Sequence, residues 1–337
     1  MTRGKLCILF GILSTIILFL SNLFIGSVDI PYDQVWNILC GNEAAKESWR
    51  FIVLESRFPQ ALTALLCGAA SSASGLMLQT IFRNPLAGPS ILGIDSGASL
   101  GVALVMLMSG GSLSIGSTGL SGAFAVTISA FAGALLVMGL LLFFSTLLKN
   151  DTMLLIVGIM IGYIVSSAIS LLNFFATSEG VHSYLIWGMG SFGGISMSQM
   201  LGFFLLIAVG LSMALSLIKP LNALLLGYSY AENLGINVRA TRHRLLLATG
   251  LLSATTTAFC GPITFLGLAV PHVARILLGS SNHRMLMPVT LILGSSIALL
   301  CNGLCMLPGD AGIIPLSGVT PLIGAPIVIY VLLKRRR

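Results

Sequence analysis

The chain has 337 residues, of which 56% are hydrophobic and 8% charged, with a mean hydropathy of +1.02 and a formal net charge of +7. This composition excludes an ordinary soluble domain and predicts an all-α, polytopic membrane protein. The surplus of bases does not point to nucleic acid as a partner, because it is spread thinly through loops, as the excess of Lys and Arg on the cytoplasmic side of membrane proteins requires.

Crossing about 30 Å of hydrocarbon takes roughly 20 helical residues. Apolar runs near that length recur at 6–26, 60–81, 91–108, 120–148, 152–175, 199–218, 244–261, 264–279, 286–306 and 315–333, giving about ten transmembrane helices. No small-residue cleavage pattern follows the first run before Val28 to Tyr32, so it reads as a retained span. The outer segment from Asp29 to Pro59 contains two helix-like pieces, Tyr32 to Leu39 and Glu47 to Glu55, with Trp36 and Trp49 suited to the membrane interface. Small residues in GAASSASG (Gly68 to Gly75) and GIDSGASLG (Gly93 to Gly101) allow helix backbones to approach closely, which predicts a compact bundle. RNPLAGPSILG (Arg83 to Gly93) forces a tight polar turn at Asn84 and Pro85. GPITFLGLAVPH (Gly261 to His272) predicts a short or interrupted span with a second structural turn at Pro271 and His272; His272 and Arg275 are expected to face cytoplasm or headgroups.

An even span count puts both termini on one side, and Arg3, Lys5 and Lys334 to Arg337 mark that side as cytoplasmic. Every other Lys and Arg except Lys46, Arg50 and Arg57 falls on the same side, whereas Asp29, Asp33, Glu43, Glu47, Glu55, Glu179 and Asp310 fall on the other. The expectation is one transmembrane domain over 1–337 in a bacterial inner membrane. Within it, residues 219–244 form a cytoplasmic region; its stretch GYSYAENLGINVRATRHR (Gly227 to Arg244) reads as a docking surface.

Chemistry-bearing motifs are absent. There is no G-x-x-x-x-G-K-[ST], H-E-x-x-H or G-x-S-x-G, so the chain shows neither an ATP site nor a hydrolase nucleophile. The six cysteines lack paired metal spacing, and His182, His243, His272 and His283 lie in separate loops, so no cofactor or fixed metal is expected. Asp95 is the acid that lies well inside a span. A buried carboxylate is a functional candidate, here for an ion-coupled secondary carrier; its nearness to a polar turn allows a helix-capping role instead. Met77, Met106, Met108, Met153 and Met160 have the spacing of gap-filling core residues.

The runs SRFPQALTALLCGAASSASGLMLQTIFRNPLAGPSILGIDSGASLG (Ser56 to Gly101), WGMGSFGG (Trp187 to Gly194), LGINV (Leu234 to Val238), GPITFLGLAVPHVARILLGSSNHRMLMP (Gly261 to Pro288) and GVTPLIGAPIVIYVLLK (Gly318 to Lys334) resemble the FecCD-type permeases. These are membrane subunits of ABC importers for iron-siderophore complexes, haem and cobalamin, and the resemblance covers essentially the whole chain. It implies ten helices, a second permease copy around a central path, two cytoplasmic ATP-binding subunits and an extracytoplasmic substrate-binding protein. The chain itself is then a transport subunit and not an enzyme.

The resemblance further implies that residues 219–244 couple to the ATPase. Tyr228, Ala231, Glu232, Leu234, Gly235 and Ile236 are the coupling candidates, with two short helices broken at Gly235, and with Ala231, Leu234 and Ile236 as its apolar contact. Arg239, Arg242 and Arg244 anchor the start of helix seven at the headgroups. Ser71, Ser74, Met77 and Met160 are expected to line the path. At the outer mouth, Arg57, Gln60 and Asp310 are the candidates for docking the binding protein. The chain departs from the family pattern there, holding Gln60, Asn302, Met306 and Ile313 where family members usually carry charge.

Overall fold

A computed structural model describes residues 3–108, 120–148, 150–307 and 312–334. In chain order the helices are α1 (Arg3–Phe24), α2 (Tyr32–Leu39), α3 (Glu47–Phe51), α4 (Phe58–Ile81), α5 (Ile94–Met108), α6 (Leu120–Leu147), α7 (Asp151–Phe175) and α8 (Ser178–Gly188). They continue as α9 (Met197–Ser216), α10 (Ile218–Leu225), α11 (Tyr228–Asn233), α12 (Val238–Cys260), α13 (Leu266–Leu278), α14 (His283–Met306) and α15 (Leu316–Lys334). The ten expected spans correspond to α1, α4, α5, α6, α7, α9, α12, α13, α14 and α15. α12 is long enough but carries Arg239, Arg242 and Arg244 in its first two turns, and Thr249 and Thr255 to Thr257 further on. α13, with 13 residues, extends only about 20 Å at 1.5 Å per residue.

α4 is the hub. Its membrane-spanning stretch is 83% buried, whereas that of α1 is 17% buried. α14, α12, α13, α9 and α1 surround it. Lipid tails are as apolar as leucine, so helices associate in a bilayer by close packing and not by hydrophobic exclusion. The small residues of α4 provide this closeness: a Cβ on Gly68 would lie 2.2 Å from the Gly294 carbonyl oxygen of α14, and one on Gly75 would lie 1.6 Å from that of Gly267 in α13. A second close pair joins α5 to α6, where a Cβ on Gly101 would stand 1.9 Å from the Ser129 carbonyl oxygen.

Three boundaries differ from the sequence expectation. The outer piece beginning at Glu47 does not end before the second span. α3 passes through a π-helical turn, Ile52–Arg57, straight into α4, so helix is continuous over Glu47–Ile81. The wide turn precedes Pro59, whose ring would clash with a carbonyl of a regular helix. α8 lies between the expected spans, and the span expected from 244 starts earlier, at Val238, where Asn237 caps it by accepting from the Ala240 amide at 2.9 Å. The interrupted span is confirmed: Gly261 (φ 75°) and Phe265 (φ 69°) both adopt left-handed backbone, and α13 starts only at Leu266. Pro271 and His272 lie inside α13 and not in a turn.

Replacing Gly75 with Ala is expected to lower the melting temperature of the detergent-solubilised protein sharply, since backbone and not a flexible side chain meets the new methyl; overpacking of this kind costs about 1–3 kcal/mol or more. Gly202→Ala, where nothing lies within 4 Å, is the control expected to leave it unchanged or raise it.

Candidate functional site

Between the ends of α9 and α12 the chain forms two short helices, α10 and α11, that project from the bundle end carrying Arg3, Arg83 and Arg284. Gly227, at φ 120°, separates them, and Gly235, at φ 78°, turns the chain toward α12. Both are angles at which a side chain would be strained. Leu221, Leu224 and Ala231 are buried against the bundle, while Leu226 (65%), Tyr230 (51%) and Leu234 (58%) are exposed. The unit therefore has an inner face fixed to its own chain and an apolar outer face.

Both ends of the unit are tied down. On α10, Asn222 accepts from the His283 backbone amide at 2.8 Å and donates to the Asn282 side chain at 3.1 Å; His283 in turn contacts the Thr80 hydroxyl at 2.9 Å. On α11, the Tyr228 hydroxyl meets the Ile81 carbonyl at 2.7 Å and the Asp151 carboxylate. The Arg83 guanidinium stacks 4.4 Å from the centre of the Tyr228 ring. Arg242 pairs with Asp151 at 3.5 Å and donates to the Leu148 carbonyl at 3.2 Å. Burial and the adjacent Asp151 carboxylate push the Tyr228 phenol well above its usual pKa, against the pull of Arg83 and Arg242. It therefore keeps its proton and serves as a donor.

This geometry reassigns several of the expected coupling residues. Ala231 is fully buried, and Ile236 is half-buried with one side packed against the core. Tyr228 likewise faces inward. The helix breaks at Gly235, between α11 and α12, as expected, and a further break at Gly227 separates α10 from α11. Leu234, Glu232 and Gly235 are exposed, and Leu226 and Tyr230 join Leu234 on the outer face. Arg242 is turned to Asp151 within the chain. Asp151, Asn222 and His283 were not singled out in the sequence, because each meets its partner across 60 or more residues.

At the opposite end, Arg57 is 4% exposed. Its guanidinium donates to the carbonyls of Leu23 at 3.0 Å, Phe24 at 2.9 Å and Val28. The cation thus closes the loop after α1. Gln60 also faces a neighbour within the chain, donating to Asn302 at 3.0 Å, which donates to Asn22 at 2.8 Å. Asp310 lies outside the described residues.

The four expected path residues do not share one surface. Met77 and Ser74 are sealed in the core, Ser71 borders a cavity of about 20 Å³ beside Asp95, and Met160 is exposed on α7. Asp95 is buried and accepts from the hydroxyls of Ser253 and Thr257, both at 2.9 Å, tying α5 to α12. The two expected turns touch each other: Asn84 accepts from the Leu86 amide at 2.9 Å, and buried His272 lies 2.8 Å from the Pro85 carbonyl. Arg275 donates to Gln79 at 2.6 Å, so neither His272 nor Arg275 simply faces water. Among the described residues no group of three His, Cys, Asp or Glu is placed to hold a metal ion.

A family model described as the FecCD transport family matches residues 14–334. The vitamin B12 import system permease protein BtuC of Escherichia coli O9:H4 (strain HS) is 36% identical over 285 residues, 85% of this chain and 84% of that protein. BtuC of Citrobacter koseri is 35% identical over the same shares. A solved metal-chelate type ABC transporter in an inward-facing conformation superposes with a TM-score of 0.83 at 30% identity, covering 97% of this chain and 98% of that one.

Arg57→Met is expected to lower thermal stability markedly, because each carbonyl left buried without a donor costs about 1–3 kcal/mol. A melting curve of the isolated permease reads this without any binding protein, which separates a loop-closing role from a docking one.

Proposed function

Because the chain belongs to the FecCD transport family, we propose that it is the membrane-spanning permease subunit of a binding-protein-dependent ABC importer whose α10–α11 unit seats a cytoplasmic ATP-binding subunit. The observation that carries this is the two-sided unit itself: its inner face is tied to α4, α7 and α14, and its outer face presents Leu226, Tyr230 and Leu234. An apolar outer face on a polar bundle end has the form of a partner's seat. The chain performs no hydrolysis; two copies of the ATP-binding subunit supply the energy, and a second permease copy and an extracytoplasmic binding protein complete the importer. The bundle end bearing α10 and α11 is cytoplasmic, with both termini on that side of a bacterial inner membrane, which follows from its Lys and Arg.

The cargo is a bulky metal chelate. Ferric siderophore or haem is the first reading, and cobalamin is the second, favoured by the names of the 36%-identical relatives. An ion-coupled carrier working through Asp95 is the alternative class. Its carboxylate is held by two hydroxyls in a helix-to-helix tie, which supports a structural role.

In proteoliposomes containing the ATPase and binding protein, uptake of ferric siderophore, haem or cobalamin is expected only with ATP. Leu234→Asp and Gly235→Trp should insert normally yet lose substrate-stimulated hydrolysis and uptake by roughly tenfold or more, the effect of about 1.4 kcal/mol at an interface. Uptake driven by a proton gradient without ATP would replace the importer reading with the carrier, and saturable binding of one chelate to the binding protein would decide the cargo.

A further inference from the structure

We infer that Tyr228, Asp151 and Arg242 form a latch with two positions, through which the α10–α11 seat controls the starts of α7 and α12. The inference rests on the permease reading and adds the contacts that carry movement from the seat into the spans.

The latch is incompletely satisfied in the arrangement seen. The Tyr228 hydroxyl has one proton and faces two acceptors, the Ile81 carbonyl at the end of α4 and the Asp151 carboxylate at the start of α7. An ionised carboxylate only accepts, so one of the two contacts lacks a proton at any instant. Arg242, near the start of α12, reaches Asp151 through a single nitrogen at 3.5 Å, although a guanidinium fork can grip a carboxylate with two. Its second terminal nitrogen is turned to the Leu148 carbonyl, and its Nε is buried with no partner. Partly satisfied buried polar groups are costly, so a modest displacement suffices to favour a different pairing.

The second position follows from these atoms. When α11 moves away from α7, the Tyr228 proton goes to the Ile81 carbonyl alone and Arg242 closes on Asp151 with two nitrogens. When α11 moves back, the phenol reclaims Asp151. Arg83, stacked on the ring at 4.4 Å, keeps the phenol near its pivot in both. α4 is packed on all sides and cannot follow. Leu154 and Gly158 fix α7 against its neighbours, Gly158 on the Leu92 backbone, so the part able to respond is the first turn ahead of them, Asp151 to Met153.

The test uses the full transporter in proteoliposomes, measuring substrate moved per ATP hydrolysed. Tyr228→Phe keeps the ring under Arg83 and removes only the proton; Asp151→Asn keeps the shape and removes the charge. Each is expected to lower the transport-to-ATP ratio by at least about fivefold, the lower end of ordinary coupling between sites. The double variant should be no worse than the single ones, as members of one device are not additive. Arg242→Lys keeps the charge but not the fork and should also lower the ratio. Wild-type ratios in Tyr228→Phe and Asp151→Asn, or fully additive losses, would overturn the latch. If either variant fails to reach the membrane, Arg242→Lys decides alone by the same ratio. Absence of ATP-driven uptake in the wild type would overturn the permease reading instead.

Discussion

Close approach of helix backbones at glycine and serine is the constraint on which the rest of this bundle depends. In hydrocarbon, apolar side chains gain nothing by leaving lipid for protein, so contact must come from dispersion and from hydrogen bonds that need short distances. α4 meets this along its whole length. Gly68 and Gly75 leave no room for a methyl against α14 and α13, and the Ser72 hydroxyl donates to the Thr290 carbonyl at 3.1 Å. With α4 held so tightly, the ends of its neighbours are positioned relative to one another. That is why Ile81, Asp151, Tyr228 and Arg242 meet although they come from four helices.

Much of this was legible in the sequence because it depends on local signals. The spans follow from apolar run length, the interruption before α13 from the Gly261-Pro262 start of GPITFLGLAVPH, and the close packing of α4 from GAASSASG. The short helices α10 and α11 were legible as a polar island, but not which of their faces is turned outward. In a helix as short as α11 the apolar residues are too few to define a stripe, so Ala231 and Leu234 looked alike while one is fully buried and the other 58% exposed. The surroundings of Arg57 were hidden for a similar reason. A lone cation in an outer loop has the same appearance whether it faces a partner or three carbonyls of its own chain.

The departures at the outer mouth have a physical interpretation. Gln60 and Asn302 are separated by 242 positions yet hydrogen-bond to each other at 3.0 Å, and Asn22 extends the chain of amides to α1. Amides donate and accept at once, so a neutral network can join α1, α4 and α14 with no desolvated ion. Gln60 and Asn302 are thus two ends of one contact.

The helical stretch Glu47–Ile81 has 35 residues and is therefore about 52 Å long at 1.5 Å per residue, well beyond the roughly 30 Å of hydrocarbon it crosses. Its outer third carries the α2–α3 hairpin, with a small core of Ile30, Val35, Ile38 and Val53. Its inner terminus offers the Ile81 carbonyl to Tyr228. The molecule thus contains one continuous helix that runs from one end of the bundle to the other and is gripped along the way by α14 at Gly68 and by α13 at Gly75. The outer hairpin and the Tyr228 contact are therefore held apart by the length of a single helix, with no chain of side-chain contacts needed to set that distance.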